Sequence, residues 1–214
     1  YTALQKYLPD GTSKADFIVG SGEDTVGILN SVKVGPTIAD DIKKNAFLAI
    51  LGSLAVVFLY ILFRFRKWQF SLGAVAAVFH DVMIVLGIFS IFGTIMPFNM
   101  EIDQAFIAAI LTVIGYSLND TIVNYDRIRS NEPLYKGKGL TFIINRSVND
   151  ILARTVLTSV TTLISSLCLY GFGSGVIKDL AFTLTIGVIA GTYSSVYVAA
   201  PLVSITDKIL KKFA

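Results

Sequence analysis

Gln104–Asn124 reads QAFIAAILTVIGYSLNDTIVN. From Ala105 to Gly115 it is apolar but for Thr112, and its first charge is Asp120. As a helix this stretch rises roughly 31 Å, at about 1.5 Å per residue, enough to cross a hydrocarbon core about 30 Å thick. An acid placed there costs roughly 2.5–3.5 kcal/mol on insertion, so it is expected to face a protein interior or a water-filled path. The stretch is therefore expected to be a membrane span with one functional or pairing acid.

Four further stretches are similarly apolar: Ala46–Phe63, Phe70–Gly93, Thr155–Phe172 and Leu180–Ile205. The last exceeds the required length, and Pro201 is expected to mark its frayed or kinked end. Composition agrees, with 54% hydrophobic and 15% charged residues where a soluble domain carries about a quarter charged. A net charge of +3, without a basic stripe interleaved with aromatics, gives no nucleic-acid surface. Cys168 and His80 are the only residues of their types, which excludes an intrachain disulfide and a zinc site. No nucleotide-binding loop, nucleophile constellation or metal cluster is recognisable, so neither an enzyme nor a cofactor is expected.

Basic residues in the connections orient the spans. Arg64, Arg66 and Lys67 follow the first span, and Arg127, Arg129, Lys136, Lys138, Arg146 and Arg154 lie between the third and fourth. Lys208, Lys211 and Lys212 follow the fifth. These regions are expected to be cytoplasmic, since Thr94–Asp103 has no Lys or Arg and Gly173–Asp179 has only Lys178. Residues 1–45 would then be periplasmic, 46–205 the transmembrane bundle, and 206–214 a cytoplasmic tail. Within residues 1–45, Phe17–Val19 suits a strand and Val26–Leu29 part of a helix, too little to bury a core. No basic-then-apolar leader precedes the segment, so an upstream span is expected. Leu140–Leu152 has apolar residues at helical spacing and is expected to lie along the inner membrane surface.

Three spans carry polar groups. His80-Asp81 lies about ten residues, roughly 15 Å, from the inner end of the second. Gly73, Ala76, Ala77 and Gly87 share part of its surface. It suits either a proton-sensitive pair or a helix–helix hydrogen bond. On the third span, Thr112, Tyr116, Asn119 and Asp120 share a face, and Asp120 is either a proton carrier or the permanent partner of a base. On the fourth, Arg154, Thr158, Thr161, Ser165 and Cys168 recur at four-three-four-three spacing. That stripe suits a hydrated path, or hydroxyl packing between helices. Gly187 and Gly191 on the fifth span mark close packing, within the bundle rather than between chains.

Several strings resemble SecF, or the SecF half of a fused SecD–SecF export factor. They include Phe79-His80-Asp81-Val82, Ile114 to Val123, Asp126-Arg127-Ile128-Arg129, Arg154-Thr155, Thr158 to Thr162, and Gly187 to Ser195. Tyr125 departs from the Phe expected before Asp-Arg. The resemblance implies an all-α membrane protein: five transmembrane helices of a six-helix half of the RND superfamily type, with a truncated periplasmic segment at the N-terminus. It implies pairing with SecD, fused or separate, in the bacterial inner membrane beside the SecYEG channel, with SecA an indirect partner. The expected role is to help export preproteins across that bilayer at the expense of the proton motive force. In that family the acid matching Asp120 and the arginine matching Arg154 are tied to proton movement. His80, Asp81, Asn119, Thr158, Thr161 and Ser165 are candidates for the proton path or for packing. A transporter half for a lipid or small molecule, and a non-transporting scaffold, are the alternatives.

Overall fold

A computed structural model describes residues 36–93 and 104–213, and among these every long element is helical. The expected strand at Phe17–Val19, the partial helix at Val26–Leu29 and the Thr94–Asp103 connection lie outside the described residues. Contacts divide the chain into Tyr1–Asp41 and Ile42–Ala214, and the packing below belongs to the second unit.

Helix α1 (Pro36–Phe65) starts ten residues before the expected span, with Pro36 at a position where its missing N–H costs nothing. Arg66, at φ 56°, ends it in the left-handed conformation, and its N–H caps the Leu62 carbonyl at 2.8 Å. Then follow α2 (Trp68–Phe92), α3 (Gln104–Asn131) and α4 (Leu140–Phe172). The last rod is α5 (Val176–Ser194), a π-helical turn at Ser195–Ala199, and α6 (Ala200–Phe213). All five rods are long and apolar enough to cross a membrane.

Two expectations change. Leu140–Leu152 continues the axis of the fourth span as one unbroken helix, because its apolar positions Ile143 and Ile144 are buried in the bundle. Pro201 neither frays nor ends the last rod. Its missing N–H leaves the Tyr197 carbonyl without the usual partner, and the ladder widens into the π turn just before it.

The core runs between α2, α3 and α5. Gly187 meets Val113, and a Cβ added at Gly191 would sit 2.9 Å from the Ser117 Cβ. The Gly-x-x-x-Gly therefore packs inside the bundle, against α3. At Gly73 an added Cβ would lie 2.5 Å from the Tyr125 hydroxyl and 2.8 Å from the Ala199 carbonyl, so α2 touches the π turn there. Tyr125 is fully buried and packs edge-on against Phe70 (4.9 Å) and Phe65 (5.7 Å). By contrast, only 6% of the most apolar window of α1 is buried, against 50% for the last rod, so α1 flanks the bundle.

Candidate functional site

One end of the bundle is held by charge. Arg64 reaches Asp126 at 3.1 Å and Lys67 reaches Glu132 at 2.6 Å, tying the α1–α2 corner to the end of α3. Asp150 of α4 receives Arg127 at 2.7 Å, Arg146 at 3.1 Å and the Asn131 amide at 3.2 Å. Asn131, itself buried, also donates to the Ser147 hydroxyl at 2.9 Å. Exposed pairs of this kind contribute less than about 1 kcal/mol each, so their main effect is to fix which helix ends are neighbours.

Asp120 lies deeper. It is eleven residues from the Asn131 end of α3, roughly 16 Å, and Arg154 is fourteen residues from the Leu140 end of α4, roughly 21 Å. Both ends belong to the charged face just described, so the two side chains sit at similar depth. Asp120 is 7% exposed, and its Oδ2 has no hydrogen-bond partner. Arg154 is exposed; its charge reaches Asp120 electrostatically, but among the described residues no ion pair joins them. Buried unpartnered oxygens also occur nearby on α3, at Tyr116, Thr121 and Asn124. A carboxylate that is largely buried, unpaired and near a free cation can gain or lose a proton with a large change in local energy.

The other candidates separate by exposure. Asn119 is exposed on α3, and Thr158, Thr161 and Ser165 are exposed on the face of α4 that carries Arg154. Thr158 donates to the Thr155 carbonyl at 3.0 Å, Thr161 to Thr158 at 2.8 Å and Ser165 to Thr161 at 3.0 Å. The three hydroxyls are thus satisfied within α4, on a face that the described residues leave uncovered. Hydroxyl packing between α4 and α5 falls to other residues: Ser159 with Thr192 at 2.7 Å, and Thr185 donating to Ser166 at 2.9 Å.

His80 and Asp81 form a separate site. Asp81 is fully buried, and its Oδ2 accepts from Ser117 at 2.5 Å and from Ser194 at 2.8 Å. The His80 Nδ1 is 3.2 Å from Oδ1. Sequence reasoning placed Asp81 but missed both serines, although each stands beside a feature it singled out: Ser117 three residues before Asp120, and Ser194 three residues after Gly191.

A family described as "Protein export membrane protein SecD/SecF, C-terminal" matches residues 18–208. The chain belongs to the SecD/SecF C-terminal family. It is a multi-pass membrane protein. The protein translocase subunit SecF of Rhodothermus marinus is 51% identical over 170 residues, which cover 79% of this chain and 55% of that protein. The protein translocase subunit SecDF of Thermus thermophilus is 43% identical over 176 residues, covering 82% and 23%. A crystal structure of SecDF from that organism, described as a translocon-associated membrane protein, superposes with a TM-score of 0.73 at 42% identity, over 82% of this chain and 23% of that one. A second SecDF structure, in a super-membrane-facing form, gives 0.72 at 40% identity, over 84% and 23%. The chain spans about half the length of the SecF relative and under a quarter of the SecDF relatives. These SecD/SecF relatives are named for protein translocation, which favours that reading over a lipid or small-molecule transporter.

Proposed function

We propose that this chain is the membrane-embedded part of a SecF-type subunit that uses the proton motive force to help export proteins across the bacterial inner membrane. The observation that carries the proposal is the largely buried Asp120, with an unpartnered carboxyl oxygen, at the depth of an exposed Arg154 on the neighbouring helix. In this reading the charged end of the bundle is cytoplasmic, and residues 1–45 are the periplasmic remnant of a larger domain. The uncovered Arg154–Thr158–Thr161–Ser165 face is where a SecD half packs. SecYEG and exported preproteins are the working partners, and SecA acts on the same channel.

Two states follow from electrostatics. Ionised Asp120 draws in Arg154, an attraction of about 4 kcal/mol at 4 Å for an effective dielectric near 20, before desolvation costs. Protonation removes most of it and releases the α3–α4 contact, a difference that a proton gradient can drive. Proton-gradient-stimulated translocation into inverted membrane vesicles tests this in the native assembly. Asp120→Asn is expected to assemble normally and lose the stimulation. Arg154→Met should lose it too, while Arg154→Lys keeps part, because charge is the requirement. Normal stimulation with Asp120→Asn would reject the proposal, and loss of assembly instead would favour a scaffold role for the residue.

A further inference from the structure

One fully buried carboxylate takes no part in that scheme. Asp81 is 0% exposed and is held from three helices at once: its own α2, α3 through Ser117 and α5 through Ser194. Among the described residues no lysine or arginine bonds to it, and the basic side chain that does is His80. The titratable groups nearest these contacts in sequence are Tyr116 and Asp120 beside Ser117, Tyr193 beside Ser194 and Tyr197 on the π turn; farther along the same helices stand Tyr125, Asp126, Arg127 and Arg129 of α3 and Lys178 and Asp179 of α5. Those of α6, from Asp207 to Lys212, stand toward the end of that helix. Stabilising a permanently ionised carboxylate at such a place normally calls for a paired cation. Two hydroxyls and a partly exposed histidine are a weaker arrangement, and one that serves either protonation state.

Ser194 shows how. Its single hydroxyl proton has two acceptors, Asp81 Oδ2 at 2.8 Å and the Gly191 carbonyl at 3.2 Å. A charged carboxylate takes that proton, whereas a neutral one releases it to the carbonyl. His80 links that buried carboxylate to the bundle surface. Its side chain is 31% exposed, stacks on Tyr193 at 5.9 Å, and borders a groove of about 340 Å³ lined by isoleucines, Ala190 and Tyr193.

We infer that Asp81 is a second proton-binding site of the bundle, loaded and emptied through His80 and sensed by the Ser117 and Ser194 hydroxyls. A protonated imidazole passes its Nδ1 proton to Oδ1 over the 3.2 Å contact, leaving a neutral histidine with its proton on Nε2 and a neutral carboxylic acid. Oδ2 loses its charge, and the Ser194 hydroxyl turns to Gly191. Because Ser194 directly precedes the π turn, the change is delivered where the last rod is least regular.

The inference does not depend on Asp120 or on export. It is read by infrared difference spectroscopy, following a pH jump, of the full protein in lipid vesicles with its native partner. The signal is the carbonyl stretch of a protonated carboxylic acid. In the Asp120→Asn background one such band should remain, and adding Asp81→Asn to that background should remove it. Ser117→Ala should shift that band, because one of its hydrogen bonds is gone; this variant decides the matter if Asp81→Asn does not assemble. Absence of any such band in Asp120→Asn, its survival when Asp81→Asn is added, or an unmoved band when Ser117→Ala is added instead would overturn the inference. Normal gradient-driven export in Asp120→Asn, which would reject the proposed function, leaves it standing, so the two proposals can fail separately.

Discussion

Adding one methyl group at Gly191 should loosen the contact between α3 and α5. The added Cβ would lie 2.9 Å from the Ser117 Cβ and 3.2 Å from its hydroxyl oxygen. Carbon atoms prefer about 3.5–4.0 Å, so the helices must part by about 0.6–1.1 Å. A move of that size carries the Ser117 hydroxyl, now 2.5 Å from Asp81, to the edge of hydrogen-bond range. Overpacking costs about 1–3 kcal/mol, against a gain of up to ~1 kcal/mol from replacing glycine by alanine within a helix. With the full gain the net expectation is a loss of about 0–2 kcal/mol, and more at Gly187, where Val113 stands closer still. Gly52→Ala is the control: nothing lies within 4 Å of its added Cβ, so only the propensity gain remains. Thermal unfolding of the three variants in detergent should rank Gly52→Ala at or above the wild type, then Gly191→Ala, then Gly187→Ala. Equal midpoints for Gly187→Ala and Gly52→Ala would refute the close packing of α3 against α5.

Two further outcomes are expected. Tyr125→Phe removes the donor to the Ala199 carbonyl (3.3 Å) while keeping both ring contacts, so the thermal midpoint should fall by the equivalent of about 0.5–1.5 kcal/mol with an unchanged helical spectrum. Asp150→Ala strips Arg127, Arg146 and Asn131 of a shared acceptor and should lower the thermal midpoint measurably, whereas Lys67→Ala, from a pair 44% exposed on each side, should leave it almost unchanged in the same denaturation series.

Spans were legible because hydrocarbon sets a length and a composition that the chain must satisfy, and all five emerged as rods of long apolar helix. Their ends were less legible. Leu140–Leu152 carries the polarity of an interfacial helix, but its Ser147 and Asp150 are the partners of Asn131 and Arg127 of α3 across the charged end. Tertiary partners of this kind leave no local trace. Asp120 and Asp81 stood out because an acid in an apolar run is rare. What each acid faces depends on helix rotation, and rotation is set by packing. Thus Asp81 turned inward to two serines, while the Thr158–Ser165 stripe turned away from the other described helices. Pro201 was visible as an irregularity, but its form was not, since a proline can kink, end or widen a helix. The acceptors left near it are met by Asn124 at 3.5 Å and Tyr125 at 3.3 Å, side chains more than seventy residues away in sequence.

The π turn also acts as a phase shifter. Each residue of an α-helix advances the azimuth by about 100°, so a turn holding one residue too many rotates everything beyond it by that angle. Upstream, Gly187 and Gly191 point at α3; downstream, Ala199, Ala200 and Val203 are buried, with Ala199 and Val203 beside Gly73 of α2, and Ser204 meets Thr141 at 2.7 Å. One rod thereby serves two neighbours at different bearings without a bend or a loop. Deleting a single residue between Ser195 and Ala199 would restore a regular helix and swing the whole of Ala200–Phe213 out of register, with Val203 no longer aimed at Gly73. For this rod, residue count through five positions matters more than the identity of any one side chain among them.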